Sequence, residues 1–117
     1  KFGADIQVAA PRICPEIALL AGEGKIKTVL REYRPSDLDG MDFAIAATDD
    51  REVNRAVYAE CRKRGIPVNV ADDKTLCDFY FPALVLTDDV VIGIGSGGES
   101  PGRVKEVRQR IEKLEDL

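Results

Sequence analysis

Histidine is missing altogether from this chain of 117 residues, and cysteine is scarce and scattered. Without an imidazole, Ser-His-Asp and Cys-His nucleophilic mechanisms are excluded. Any general base must then be Asp, Glu, Lys, Tyr or Cys. Cys14, Cys61 and Cys77 form no Cys-x-x-Cys pair, so no metal site is expected. An odd, dispersed set of thiols suits a reducing compartment and small core positions, which leads us to expect a cytoplasmic protein. No apolar run comes near the roughly 18 residues of a membrane span, and "KFGADIQVAAP" does not read as a targeting peptide, so no membrane partner is expected. Basic residues are also short: 17 Lys and Arg stand against 21 Asp and Glu, for a net charge of −4. That argues against nucleic acid as a partner, while leaving room for an anionic small molecule held by local Arg and Lys.

What is present is an ordinary globular composition, 44% hydrophobic and 32% charged, enough for a domain with a real core. Asp5–Ala10 reads as a strand closed by Pro11, Pro15–Ala21 as a short helix stopped at Gly22 and Gly24, and Lys27–Arg31 as a second strand. Pro35–Gly40 suggests a single turn of α- or 3-10 helix ended by Gly40. Phe43–Ala47, "FAIAA", is a continuous apolar run of the kind found in parallel strands buried on both faces. A helix follows from about Asp50 to Arg64, with Asp49 and Glu52 at capping-box spacing and Val53, Ala56, Val57 and Cys61 as its apolar stripe. Gly65 stops it, and Ile66–Val70 is the next strand.

This alternation predicts an α/β fold: a Rossmann-like parallel sheet with short helices over residues 1–79. The order then changes. Phe81–Thr87 and Val90–Gly95, separated by Asp88-Asp89, read as a β-hairpin, and Ser100-Pro101 opens a C-terminal helix reaching about Leu114. Val104, Val107, Ile111 and Leu114 share one face of that helix. Because residues 80–117 stand outside the parallel alternation and carry an apolar stripe, they are expected to form a homodimer interface on the substrate side.

Two places could meet a nucleotide. "GIGSGG", Gly93–Gly98, matches G-x-G-x-x-G between a strand and a helix. However, Glu115-Asp116 lies on no strand and cannot be the acid that closes such a fingerprint. The loop reads equally as a connector, or as a set of backbone amides facing an anionic substrate. The second place is the carboxyl ends of the parallel strands, where open α/β sheets bind ligands. These ends are Ala10-Pro11-Arg12, Thr48-Asp49 and Ala71-Asp72. Asp49 also reads as a plain N-cap. In "VNVADD", Asp72 and Asp73 are turn-formers or chemistry; Asp72 is nearer the strand end, and Asp73 suits the following turn. Arg103, Lys105 and Arg108 on the last helix offer cations, or simply a solvated face.

Taken in order, "GADIQVAAP", "DLDG", "IAATDDREVN", "RGIPVNVADD", "LCDFYFPALV" and "IGSGGESPG" resemble the blocks of the bacterial siroheme-synthase dehydrogenases, the precorrin-2 dehydrogenase family. The resemblance covers essentially the whole chain, and "NVADD" followed by "CDFYFPA" is its most specific part. It implies an NAD-dependent oxidation of precorrin-2, a carboxylate-rich tetrapyrrole, to sirohydrochlorin on the way to siroheme, with iron insertion in some members. It also implies that Asp72 is the acid/base and that Ala10, Pro11, Arg12, Thr48 and Asp49 lie at the NAD, with Ser96, Gly97 and Gly98 on the tetrapyrrole side. The family's opening strand and G-G-G-x-V-A loop are not in this sequence, and Lys1-Phe2-Gly3 reads like the end of a helix. The expectation is therefore an N-terminally truncated member that, alone, binds NAD poorly. Two rival readings stay open: a non-catalytic nucleotide-sensing module of the potassium-transport regulatory type, and an inactive structural remnant. The first explains "IAATDDREVN" but gives no role to "VNVADD" or "CDFYFPA".

Overall fold

The computed structural model describes residues 3–114. Lys1 and Phe2, where a helix end was expected, and Glu115-Asp116 lie outside the described residues. The element order is β1 (Gln7–Ala9), α1 (Pro15–Gly22), β2 (Lys27–Val29), a 3-10 turn (Pro35–Leu38), β3 (Ala44–Ala46), α2 (Arg51–Arg64), β4 (Val68–Val70), a second 3-10 turn (Lys74–Leu76), β5 (Ala83–Leu86), β6 (Val91–Ile94) and α3 (Pro101–Glu112). The expected α/β alternation and terminal hairpin–helix are there, with each strand shorter than its apolar run.

β1 and β2 pair in parallel with Val8 opposite Thr28, and β3 and β4 in parallel with Ile45 opposite Asn69. β5 and β6 are antiparallel, with Val85 opposite Ile92. Among the described residues the parallel strands form two separate pairs and not one sheet. Nor is "FAIAA" buried on both faces. Ala46 is 2% exposed, but Phe43 is 59% and Ile45 54% exposed, because α2 packs on only one face of β3 and β4.

The core lies under α2, where Leu38, Ala46, Val57, Cys61, Ile66, Val68 and Val70 cluster. Each fully buried valine contributes roughly 1.5–3 kcal/mol by leaving water. The inward face of α2 is Asn54, Val57 and Cys61, at spacings of three and four, whereas Ala56 of the expected stripe is exposed. Burial pushes the Cys61 thiol up from its usual range, which leaves it inert.

The cap of α2 is one residue later than expected. Asp50, not Asp49, is the N-cap, its Oδ1 accepting from Glu52 N at 2.9 Å and Val53 N at 3.5 Å. The reason is Thr48, whose hydroxyl accepts from Asp50 N at 3.2 Å and lies 3.0 Å from Asp50 O. That turn carries Asp50 into the capping position and leaves Asp49 exposed. Arg62, Lys63 and Arg64 in the last turn complement the helix dipole.

The free edge of β4 is closed by Cys77–Phe79. Asp78 N donates to Val68 O at 2.8 Å, while the Asp78 carboxylate accepts from Val68 N at 2.9 Å. Asn69 Nδ2 donates to Phe79 O at 2.9 Å, and Cys77 Sγ lies 3.2 Å from both Val70 N and Val70 O. The "CDFYFPA" block thus does what a neighbouring strand would do, satisfying an edge that would otherwise stay open to pairing. Beyond it, α3 packs on β5 and β6, with Val104, Val107 and Ile111 half-buried; Leu114 lies past the helix end and is exposed.

Candidate functional site

The ends of β3 and β4 are held side by side, Ala71 N donating to Ala46 O at 2.9 Å. Just beyond them stand Thr48 and Asp72, joined through Asn54 of α2. Asn54 Oδ1 accepts from Thr48 N at 3.0 Å and from Thr48 Oγ1 at 2.7 Å. Asn54 Nδ2 donates to Thr48 O and to Asp72 Oδ1, both at 3.1 Å. The other oxygen of Asp72 lies 3.4 Å from Arg51 Nε, and the Asp72 side chain is 32% exposed. One carboxylate therefore has Oδ1 held from inside the fold by Asn54 and Oδ2 beside the guanidinium of Arg51, on a side chain that is partly exposed.

Asp73 differs from its neighbour. It caps the second 3-10 turn, its Oδ1 accepting from Thr75 N at 3.0 Å and Thr75 Oγ1 at 2.5 Å. The Thr75 hydroxyl, then its backbone N–H, hold the Asp73 carboxyl below the usual carboxylate range. Asp73 is committed to the turn, with Arg55 at 4.0 Å.

The glycine-rich loop comes to the same turn. Gly97 and Gly98 have φ of +64° and +80°. The bare Cα of Gly98 faces the Tyr80 ring, where a Cβ would lie 2.8 Å from Cε1. Tyr80 Oη donates to Lys74 O at 2.9 Å, and Lys74 Nζ pairs with Glu99 at 3.0 Å. Ser96–Gly98 are thereby tied to the segment that follows Asp72-Asp73. Ser96 Oγ accepts from Ser100 N at 2.8 Å, while the Ser100 side chain itself makes no cap bond to α3. Because β6 runs antiparallel in a hairpin, the loop lacks the parallel-strand setting of a dinucleotide fingerprint.

Ala10, Pro11 and Arg12 follow β1 at its carboxyl end, Ala10 N donating to Val29 O at 3.1 Å. No hydrogen bond or ion pair among the described residues joins them to the Thr48–Asp72 network. Arg12 is exposed and has no carboxylate within ion-pair distance among the described residues, so its charge is available to a ligand. Asp49 is likewise exposed. A free cation, an exposed acid and the amino end of α2 at strand ends suit a dinucleotide's ribose and phosphates. On α3, Arg103 pairs with Glu106 at 2.9 Å and Arg108 with Glu112 at 2.6 Å, as on a solvated helix face.

Asn54 and Arg51 went unnoticed in the sequence. An asparagine three residues before Val57 and seven before Cys61, on a buried stripe, was the available signal for the first. Arg51 carries no comparable signal, since its pairing with Asp72 is made only by the fold.

The chain is similar in sequence and fold to known proteins. A family described as "putative NAD(P)-binding" matches residues 1–83. The siroheme synthase of Chromobacterium violaceum is 44% identical over 112 residues, covering 96% of this chain and 24% of that protein. That of Methylobacillus flagellatus is 42% identical over 114 residues, covering 97% and 24%. Among solved structures, SirC, a precorrin-2 dehydrogenase, matches with a TM-score of 0.77 and 26% identity, over 93% of this chain and 53% of that one. The chain spans about a quarter of the length of these curated relatives.

Proposed function

This chain belongs to the NAD(P)-binding family that matches its residues 1–83, and on that premise we propose that the protein oxidises precorrin-2 to sirohydrochlorin with NAD⁺, in siroheme biosynthesis. The observation that carries this reading is Asp72: a partly exposed carboxylate at the carboxyl end of β4, anchored through Oδ1 by Asn54 and with Arg51 beside Oδ2. With histidine absent, this is the group whose position suits proton removal.

When bound, NAD⁺ supplies the hydride acceptor. Ala10, Pro11, Arg12, Thr48 and Asp49 would hold it at the strand ends, with Arg12 contributing a positive charge that no carboxylate among the described residues pairs. Asp72 Oδ2 takes the proton from the substrate; hydride and proton loss together leave a new double bond in the macrocycle. Ser96, Gly97 and Gly98 meet the tetrapyrrole carboxylates with hydroxyl and backbone amides, and Arg51 stands beside Asp72 to pair with them. In this reading the hairpin and α3 form a homodimer interface, supported by the exposed apolar side chains of Leu86, Val90, Val91 and Leu114. Three free cysteines support a cytoplasmic location. No helix among the described residues is long and apolar enough to cross a membrane.

The test is to mix the full-length protein with precorrin-2 and NAD⁺, following NADH formation and the tetrapyrrole spectrum together. The expected result is stoichiometric appearance of NADH and sirohydrochlorin. Binding of NAD⁺ with no oxidation of precorrin-2 overturns the reading and favours a nucleotide-sensing module.

A further inference from the structure

Asn54 is 1% exposed and is the buried polar side chain of the described core. Both its donor hydrogens and both its acceptor positions have partners. Turning the amide over would set its NH₂ against the Thr48 N–H and its oxygen against the Thr48 carbonyl and the Asp72 carboxylate. Its orientation is therefore dictated by its neighbours. The helix does not need it: Asp50 caps α2, and Val57 and Cys61 supply its buried apolar face. A buried amide is costly unless fully bonded, so packing alone would favour an apolar side chain here. What the amide adds is a rigid link between the ends of β3 and β4 and a fixed oxygen on Asp72.

We propose that Asn54 is the positioning residue of the site: its amide N–H pins Asp72 Oδ1, so that Oδ2 is presented as the proton acceptor. The inference rests on the assignment of Asp72 as the base. The charged groups around Asp72 are consistent with a one-sided arrangement. Arg51 approaches Oδ2 from α2 at 3.4 Å, while Asp73 is turned toward Thr75 and Arg55.

Three variants of the full-length protein test it: Asn54→Asp, Asn54→Ser and Asp72→Asn, each measured for kcat and KM across pH after circular dichroism confirms folding. Asn54→Asp keeps size and the acceptor toward Thr48 but turns the donor into a second carboxylate oxygen facing Asp72. Like charges so placed disfavour the ionised base. The acid limb of kcat should move up by at least about one pH unit. Near neutral pH kcat should fall about tenfold to a hundredfold, with KM for either substrate changed less than about twofold. A purely structural role lowers the amount of folded protein and leaves the pH limb in place. Asn54→Ser is smaller and loses the reach to Asp72, so it should lose kcat to a similar degree, and it decides the matter if Asn54→Asp does not fold. Wild-type kcat and pH dependence in the folded Asn54 variants, with Asp72→Asn inactive, overturn the positioning role alone. A wild-type rate in Asp72→Asn overturns the assignment of the base itself.

Discussion

Replacing Gly98 with alanine places a methyl group where the fold has no space for one. At φ +80° any residue with a Cβ meets a backbone cost of about 1 kcal/mol. The new Cβ would also lie 2.8 Å from Tyr80 Cε1, 3.3 Å from Cδ1 and 3.4 Å from Cζ. Tyr80 is 42% exposed, so its ring can swing outward, but its hydroxyl then leaves Lys74 O. Losing that bond costs about 1 kcal/mol. The total for Gly98→Ala is about 2 kcal/mol. Gly97 provides the control: its φ is +64°, yet a Cβ there meets nothing within 4 Å, so only the backbone cost of about 1 kcal/mol applies. Urea unfolding of the two variants should show Gly98→Ala with the larger loss. In a Tyr80→Ala background the cost of Gly98→Ala should fall to that of Gly97→Ala. Equal losses at the two glycines, or no relief from removing the ring, would refute the contact between the loop and the turn after Asp73.

Two further predictions concern capping and acid stability. Asp50→Ala should destabilise the protein by about 1 kcal/mol in urea unfolding, whereas Asp49→Ala should change the unfolding free energy by less than about 0.5 kcal/mol while weakening NAD⁺ binding measured by calorimetry; a larger stability loss at Asp49 would place the cap wrongly. Four carboxyls are held below their usual range on folding: Glu16 by its own backbone N–H and then the Cys14 side chain, Asp37 by hydrogen bonds from Arg31 and then Arg34 N–H, Asp73 by Thr75, and Asp78 by Val68 N–H and then Arg62. A folded value below the unfolded one means that protonation favours the unfolded chain. Their contribution is therefore complete above the unfolded carboxylate range, near pH 4, and is lost as pH falls through the folded values. Urea midpoints should be flat from neutral pH to about pH 5 and decline below it. Asp37→Asn, which removes the carboxylate paired with Arg31 at 2.6 Å, should make that decline shallower; an unchanged slope would show that Asp37 contributes nothing.

The order of strands and helices could be read directly, because period-2 and period-3.6 patterns and the Gly and Pro stops are local properties. The same holds for Asp73 as the turn-former, since a capping acid two residues before Thr75 is a short-range signal. Contacts between elements are where reading from sequence failed. Asp49 and Asp50 are chemically identical neighbours, and only the Thr48 hydroxyl, itself held by Asn54, selects the second as the cap. The apolar run at Phe43–Ala47 records what can be buried, whereas burial of Ile45 depends on a neighbour that the described residues do not provide. Asn54 was hidden because an apolar count passes over a polar residue whose bonds are all made after folding. The closure of β4 by a thiol and a carboxylate follows no strand propensity at all.

In the proposed function Asp72 removes a proton from precorrin-2, and NAD⁺, when bound, would supply the hydride acceptor. The most direct test is single-turnover oxidation of precorrin-2 by the full-length Asp72→Asn protein at saturating NAD⁺. The substitution keeps the size of the side chain and an acceptor for Asn54 Nδ2 while removing the base. The rate should fall by about a hundredfold or more, with NAD⁺ affinity unchanged. A wild-type rate in the folded variant contradicts the account.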